Sequence, residues 1–268
     1  MSYEPADGLL AALDGGVLRL TLDRPAKRNS VTQDMVGALI AHLDAATQDE
    51  DVRVVVLDGA GEDFCSGSDL GPASARAARP PRVGTIQRRL PSGANRLIPA
   101  MAATQVPIVC VVRGWAAGLG FHLALAADFC IATDTARFWE PFMTRGFTPD
   151  SAGAWLIPRL VGMVRARELL LLGRELSGAE AAEWGLIHRA VPEAELCAAA
   201  DVLVAGLAAA PTVARGLAKW LLHSGSELDL SHHLQNEALG LELSMRSADF
   251  REGLAAFNDK RDPHFEGR

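Results

Sequence analysis

Arg113-Gly114-Trp115-Ala116-Ala117-Gly118-Leu119-Gly120-Phe121-His122 lies between two apolar runs, Val106 to Val112 before it and Leu123 to Ala127 after it. The pattern reads as strand, glycine turn, helix. Such a turn points backbone N–H groups from a helix start into open space, where a developing oxyanion or a phosphate could sit. A second small-residue turn stands upstream, Phe64-Cys65-Ser66-Gly67-Ser68-Asp69-Leu70. Two such turns, each behind a strand, can grip one oxygen from two sides.

Outward from this stretch, strands alternate with helices. Gly16 to Leu22 alternates as a strand does. Thr32 to Thr47 has helical spacing, with Met35, Val36, Leu39, Ile40 and Leu43 on one side. Val52 to Leu57 is a buried-type strand. The Ala-, Pro- and Arg-rich residues 71–84 lack periodicity and read as a mobile loop beside a site. Ile86 to Ala103 reads as a helix, Val106 to Val112 as a strand, 118–127 as a helix and Phe129 to Ala132 as a short strand. Beyond Ser151 the pattern is mostly helical: 151–161, 164–172, 178–184, 194–209, 212–224 and 230–246. One strand, Ile187 to Val191, interrupts it. The order implies an α/β core with parallel pairing, followed by helices. No repeat at a fixed period is present.

Bulk composition narrows the function. The 268 residues are 49% hydrophobic, enough for one large core or one core plus a helical appendage. Charged residues make up 22%, with net charge −7 and no dominant basic tract. Nucleic acid and anionic membranes are therefore not expected as main partners. The 106–127 segment is not read as a membrane span, because Pro107, Arg113, His122 and the glycines interrupt it. Cys65, Cys110, Cys130 and Cys197 form no C-x-x-C pair, and the start of the chain has no basic, signal-like region. A reduced, cytoplasmic protein is the expectation.

The chain resembles the crotonase (enoyl-CoA hydratase/isomerase) superfamily along nearly its whole length. The resemblance is carried by Asp23-Arg24-Pro25-Ala26-Lys27-Arg28-Asn29-Ser30, by the two turns quoted above, and by Ala126-Ala127-Asp128. Gly146-Phe147-Thr148-Pro149-Asp150, Pro158 to Gly162, Ala181 to Leu186, and Glu252 to Phe257 with Lys260-Arg261 extend it. It implies a ββα spiral core with an acyl-CoA site over 1–195 and a C-terminal helical trimerisation region over 196–268. It further implies a homotrimer or a dimer of trimers and an acyl-CoA thioester substrate. No cofactor is expected, since coenzyme A is part of the substrate. An oxyanion hole of two backbone N–H groups is implied as well; carried over, these belong to Ser66 and Leu119. Preorganised donors of this kind stabilise the charge that appears on a thioester oxygen when an α-proton leaves.

The resemblance breaks at the acid/base positions. A hydratase of this family uses two glutamates; the first falls at His122 and the second at Phe142. One acid/base group can still carry a proton from one carbon to another, which is what double-bond isomerisation needs. Asp150 is the best remaining carboxylate, because some isomerases and a dehalogenase that this chain resembles use an aspartate at this place. A plain helix N-cap is the competing reading for Asp150. His122, one turn after Gly118, is a second candidate for acid/base work, against the reading of a packed core histidine. Glu140 is a third, for which an ion pair with Arg137 or Arg145 is expected. Trp139 and Phe142 are expected to line an acyl pocket, and Asp69 to cap the helix after its turn. Arg24, Lys27 and Arg28, with Lys260, are candidates for the CoA phosphates. The remaining histidines show no metal spacing, and no metal is expected. Isomerisation leads; hydration with Asp150 or His122 in place of the glutamates is the second reading. An acyl-CoA-binding protein without catalysis is the reading from another class.

Overall fold

The structure is a computed structural model and describes residues 3–69, 82–226 and 228–268. Residues 70–81, which hold most of the expected mobile loop, lie outside them. β1 (Leu9–Asp14) and β2 (Val17–Leu22) form an antiparallel hairpin around Gly15-Gly16. Leu18, Leu20 and Leu22 alternate inward from β2, as the sequence pattern requires. α1 (Gln33–Gln48) starts at Thr32, whose hydroxyl accepts the Met35 N–H at 3.2 Å, and it buries the expected apolar side.

β3 (Val54–Gly59) follows, then, after residues outside the description, α2 (Thr85–Arg89), α3 (Leu97–Ala103) and β4 (Ile108–Val112). The single helix expected over Ile86 to Ala103 is thus broken. Pro91 sits in a 3-10 turn, Leu90–Ser92, and Gly93 leaves the helical region at φ −128 and ψ −110. Pro99 is tolerated because it falls in the first turn of α3, where its missing N–H has no helical partner to lose.

β5 (Trp115–Ala117), α4 (Leu119–Ala126), β6 (Phe129–Thr133) and β7 (Arg137–Trp139) come next. α5 (Gly153–Leu172) is interrupted at Gly162, so the two helices expected there meet at a kink. β8 (Leu176–Ser177), α6 (Gly178–Glu183), β9 (Arg189–Val191) and α7 (Leu196–Ala208) lead to α8 (Thr212–Gly225), α9 (Leu230–Ser244) and α10 (Ala248–Asp259). β1, β5, β7, β8 and α10 were not expected from sequence.

The larger sheet has the order β1-β2-β3-β4-β6-β9, and every pairing after the first hairpin is parallel. Each residue of β4 is buried, as the centre of a two-faced sheet demands. The smaller sheet is β5-β7-β8. All eight residues of α4 are buried, which explains why its sequence is apolar apart from His122. One core cluster joins α1, α3, α4 and the inner face of the large sheet, while α7 covers the opposite face through Leu196, Val204 and Leu207. Among the described residues no single helix is long and apolar enough to cross a membrane.

Candidate active site

The two small-residue turns stand side by side. Cys65 bridges to Ala116: the Cys65 N–H donates to the Trp115 carbonyl and the Ala117 N–H to the Cys65 carbonyl, at 2.8 and 2.9 Å. Gly67 then turns the chain at φ 102, and a Cβ there would lie 2.9 Å from the Ala117 oxygen and 3.7 Å from the Leu119 nitrogen. Only glycine meets both demands.

This geometry corrects one expected donor. The Ser66 N–H is already donated to the Arg28 carbonyl at 2.9 Å, and the Ser66 hydroxyl to the Lys27 carbonyl at 3.2 Å. Ser66 is held by the 24–30 segment and has no free amide to offer. Ser68 differs. It forms an isolated parallel bridge with Val31, in which the Val31 N–H donates to Gly67 and the Asp69 N–H to Val31. In such a bridge the central residue's own amide points to the opposite side, and the Ser68 N–H meets no acceptor among the described residues. Leu119 is the first residue of α4, after Gly118 at φ 51, so its N–H precedes the helical ladder. Among the described residues Leu119 keeps an available amide at the second turn, and at the first turn it is Ser68, not Ser66, that does.

His122 is fully buried on α4, its Nε2 2.8 Å from Glu140 Oε1 and its ring stacked on Phe142 at 6.0 Å between centroids. The ion pair expected between Glu140 and Arg137 or Arg145 is not what forms. Arg137 bonds Glu175 and lies over Trp115, while Arg145 lies over the Trp139 ring. Glu140 points inward because β7 alternates: Arg137 faces out and Phe138 in, and continuing the period of two puts Glu140 on the Phe138 side. Burial pushes the Glu140 carboxyl above its ordinary value, with His122 pulling it back and the nearby Asp150 charge adding to the rise.

Asp150 is half-buried. Its carboxylate has no ion pair or hydrogen bond among the described residues, and only its carbonyl is engaged, by the Gly153 N–H at 3.0 Å. The helix-cap reading is therefore set aside: α5 has Ala152 before its first residue and no side-chain cap. Ser151 and Ala152 both adopt left-handed φ, 45 and 69, which costs non-glycine residues roughly 1–3 kcal/mol each and is found mainly where function over-determines the backbone.

Asp150 also lines a cavity of about 1580 Å³ between α3, α8, α9 and the start of α5, whose walls include Ile98, Trp155, Leu217 and Trp220. Lys219 fixes α8 there: its buried ammonium lies 2.7 Å from Asp128 Oδ2, which also accepts the Ile108 N–H. Neither Trp139 nor Phe142 lines this cavity. Trp139 donates its indole N–H to the Gly173 carbonyl at 3.1 Å and packs on Trp115; Phe142 covers His122 and Gly118 instead.

The basic candidates separate. Arg24 is engaged, by Asp69 at 2.8 Å and by the Ser30 carbonyl at 2.6 Å. Asp69 thus holds Arg24, and the helix it was expected to cap lies outside the described residues. Lys27 and Arg28 are exposed, and their carbonyls hold Ser66, so both stand beside the paired turns. Lys260 ends α10, outside this group. Among the described residues no cluster of His, Cys, Asp and Glu could hold a metal ion.

Comparison with known proteins bears on the family and the fold. A family model described as enoyl-CoA hydratase/isomerase matches residues 13–268. The 1,2-epoxyphenylacetyl-CoA isomerase of Escherichia coli (strain K12) is 38% identical over 261 residues, 97% of this chain and 98% of that protein. A Rhodobacter capsulatus protein named "Probable enoyl-CoA hydratase" is 39% identical over 267 residues, 99% of this chain and 97% of its own. The solved structure of an enoyl-CoA hydratase from Bacillus anthracis matches with a TM-score of 0.89 at 30% identity, covering 97% of this chain and 100% of that one.

Proposed function

The chain belongs to the enoyl-CoA hydratase/isomerase family and has its crotonase-like α/β fold, and on that premise we propose that it isomerises the double bond of an enoyl-CoA with Asp150 as the single proton shuttle. The observation that carries this reading is the Asp150 carboxylate: unpaired among the described residues, half-buried, at the wall of a largely apolar cavity, with both usual glutamate positions filled by His122 and Phe142.

In this reading the thioester oxygen lies between the Ser68 and Leu119 N–H groups. Asp150 takes a proton from C2 of a 3-enoyl-CoA, and the C2–H electron pair passes into the thioester as a dienolate. The same proton returns to C4, the double bond settles at C2–C3, and Asp150 is again a carboxylate. Two main-chain donors hold the negative oxygen during this exchange, each worth about 3–4 kcal/mol of the barrier. The cavity accommodates a bulky apolar acyl group, and its volume exceeds the roughly 300–1,000 Å³ usual for small-ligand sites. In the same reading the exposed Lys27 and Arg28, the latter also 3.6 Å from Asp63, meet the CoA phosphates. The name of the E. coli relative, an isomerase of a CoA thioester, supports the reaction class.

The test is Asp150→Asn, assayed on 3-enoyl-CoA esters and on the epoxide of phenylacetyl-CoA. Turnover is expected to fall about 100-fold or more, with thioester binding retained. Unchanged turnover overturns the assignment. Hydration is the second reading, favoured by the name of the R. capsulatus relative; water addition to a 2-enoyl-CoA that depends on His122 or Asp150 would establish it. Self-association as a trimer or dimer of trimers is part of the proposal. It is supported by apolar side chains left exposed on α5, α8 and α10, such as Leu172, Leu222 and Phe257.

A further inference from the structure

Behind Asp150 lie buried polar atoms that the reaction above does not use. Glu140 and His122 meet at 2.8 Å, and each keeps one buried atom without a hydrogen-bond partner among the described residues, Oε2 and Nδ1; the buried Ser151 hydroxyl is likewise unpartnered there. Buried polar groups are nearly always satisfied, so such a concentration calls for a reason.

The pair stands against the start of α5. A Cβ on Gly153 would lie 2.3 Å from His122 Nε2, so the helix reaches this close only with glycine at that position. The turn leading into Gly153 holds Ser151 and Ala152 in left-handed φ and presents Asp150. A backbone of this kind persists only when its surroundings fix it. His122, held by Glu140 on one side and stacked on Phe142, is the surface that meets the turn.

We infer that Glu140, acting through His122, is a positioning residue for Asp150; the inference rests on reading Asp150 as the proton shuttle. The charged groups acting on Glu140 are His122 from α4 and Asp150 from the loop before α5. Arg137 and Arg145, its nearest basic residues in sequence, are turned to Glu175 and Trp139. Removing the carboxyl changes both the mount of the turn and the field at the shuttle.

Glu140→Gln keeps the size and the oxygen that faces Nε2 but cannot titrate. On a substrate the wild type turns over, this variant is expected to lose about 100-fold in kcat with KM changed by less than about threefold, and to shift the pH dependence of kcat. Glu140→Gln combined with His122→Asn should be no slower than His122→Asn alone, because the two act as one unit. Independently of turnover, the carboxyl carbon of Asp150 is titrated by NMR in wild type and Glu140→Gln; its midpoint is expected to move by about half a pH unit or more. A wild-type kcat and pH profile in Glu140→Gln, or an unmoved Asp150 titration, overturns the inference. If Asp150→Asn is harmless while that titration still moves, the shuttle reading fails and the coupling stands.

Discussion

At the scale of the residue, the site turns on which atoms are already occupied. Ser66 and Ser68 flank one glycine, and only the hydrogen-bond pattern separates them. Because the donors are main-chain groups, Ser66→Ala and Ser68→Ala should both leave kcat within a few-fold of wild type. Ser68→Pro removes the amide and should lower kcat by about 100- to 1,000-fold while thioester binding persists; the measurement is kcat alongside direct binding. Glu140 supplies a second prediction. Its folded pKa is raised above 4.5 by burial, so its contribution to stability is complete below pH 4.5 and is lost as pH rises through the raised value. Glutamine loses nothing with pH. Unfolding free energies at about pH 4 and pH 8 should therefore shift in favour of Glu140→Gln at the higher pH. The residues of this site were legible in part. The two turns, Leu119, His122 and Asp150 stood out from spacing and resemblance. The motif points to Ser66 rather than Ser68 because the left-handed Gly67 breaks strand alternation, which a linear sequence does not reveal. The sequence hides the inward aim of Glu140 because its neighbours in the chain include arginines, whereas its neighbours in space follow the inward face of β7.

At the scale of the element, caps and breaks decide boundaries. α6 has a complete capping box: the Ser177 hydroxyl accepts the Glu180 N–H at 3.1 Å, and the Glu180 carboxylate accepts the Ser177 N–H at 2.9 Å. Ser177→Ala should cost about 1 kcal/mol, read as a lower urea midpoint at unchanged m-value. Long apolar runs such as β3, β4 and β6 were legible because a buried parallel strand needs them. β5, β7 and β8 have only two or three residues each, too few to show a period. Their existence follows from tertiary pairing: Ala116 lies between Cys65 and Phe138. The break between α2 and α3 was written in Pro91 and Gly93 but masked by the apolar periodicity around them.

At the scale of the whole molecule, the apolar side chains exposed on a single chain predict assembly. Leu172 is 76% exposed, Leu222 81% and Phe257 81%, on the outer faces of three helices. Sedimentation should give a mass three or six times that of one chain; a stable monomer would count against the proposed trimer. The sheet carries another consequence, for how the chain reaches its shape. Only the β1–β2 pairing is a local hairpin; the other four partnerships of the large sheet, β2–β3, β3–β4, β4–β6 and β6–β9, are parallel and each waits for an intervening crossover. The hairpin can close in roughly 1–10 μs, whereas β9 must find β6 after α5, β8 and α6 have been laid down. Refolding from denaturant should accordingly be slow, with an early hairpin signal and a late step of roughly milliseconds to seconds that completes the sheet. Until that step, the unpaired edge of β6 is open to strands of other chains, so the yield of soluble protein should rise when synthesis is slowed by cooling.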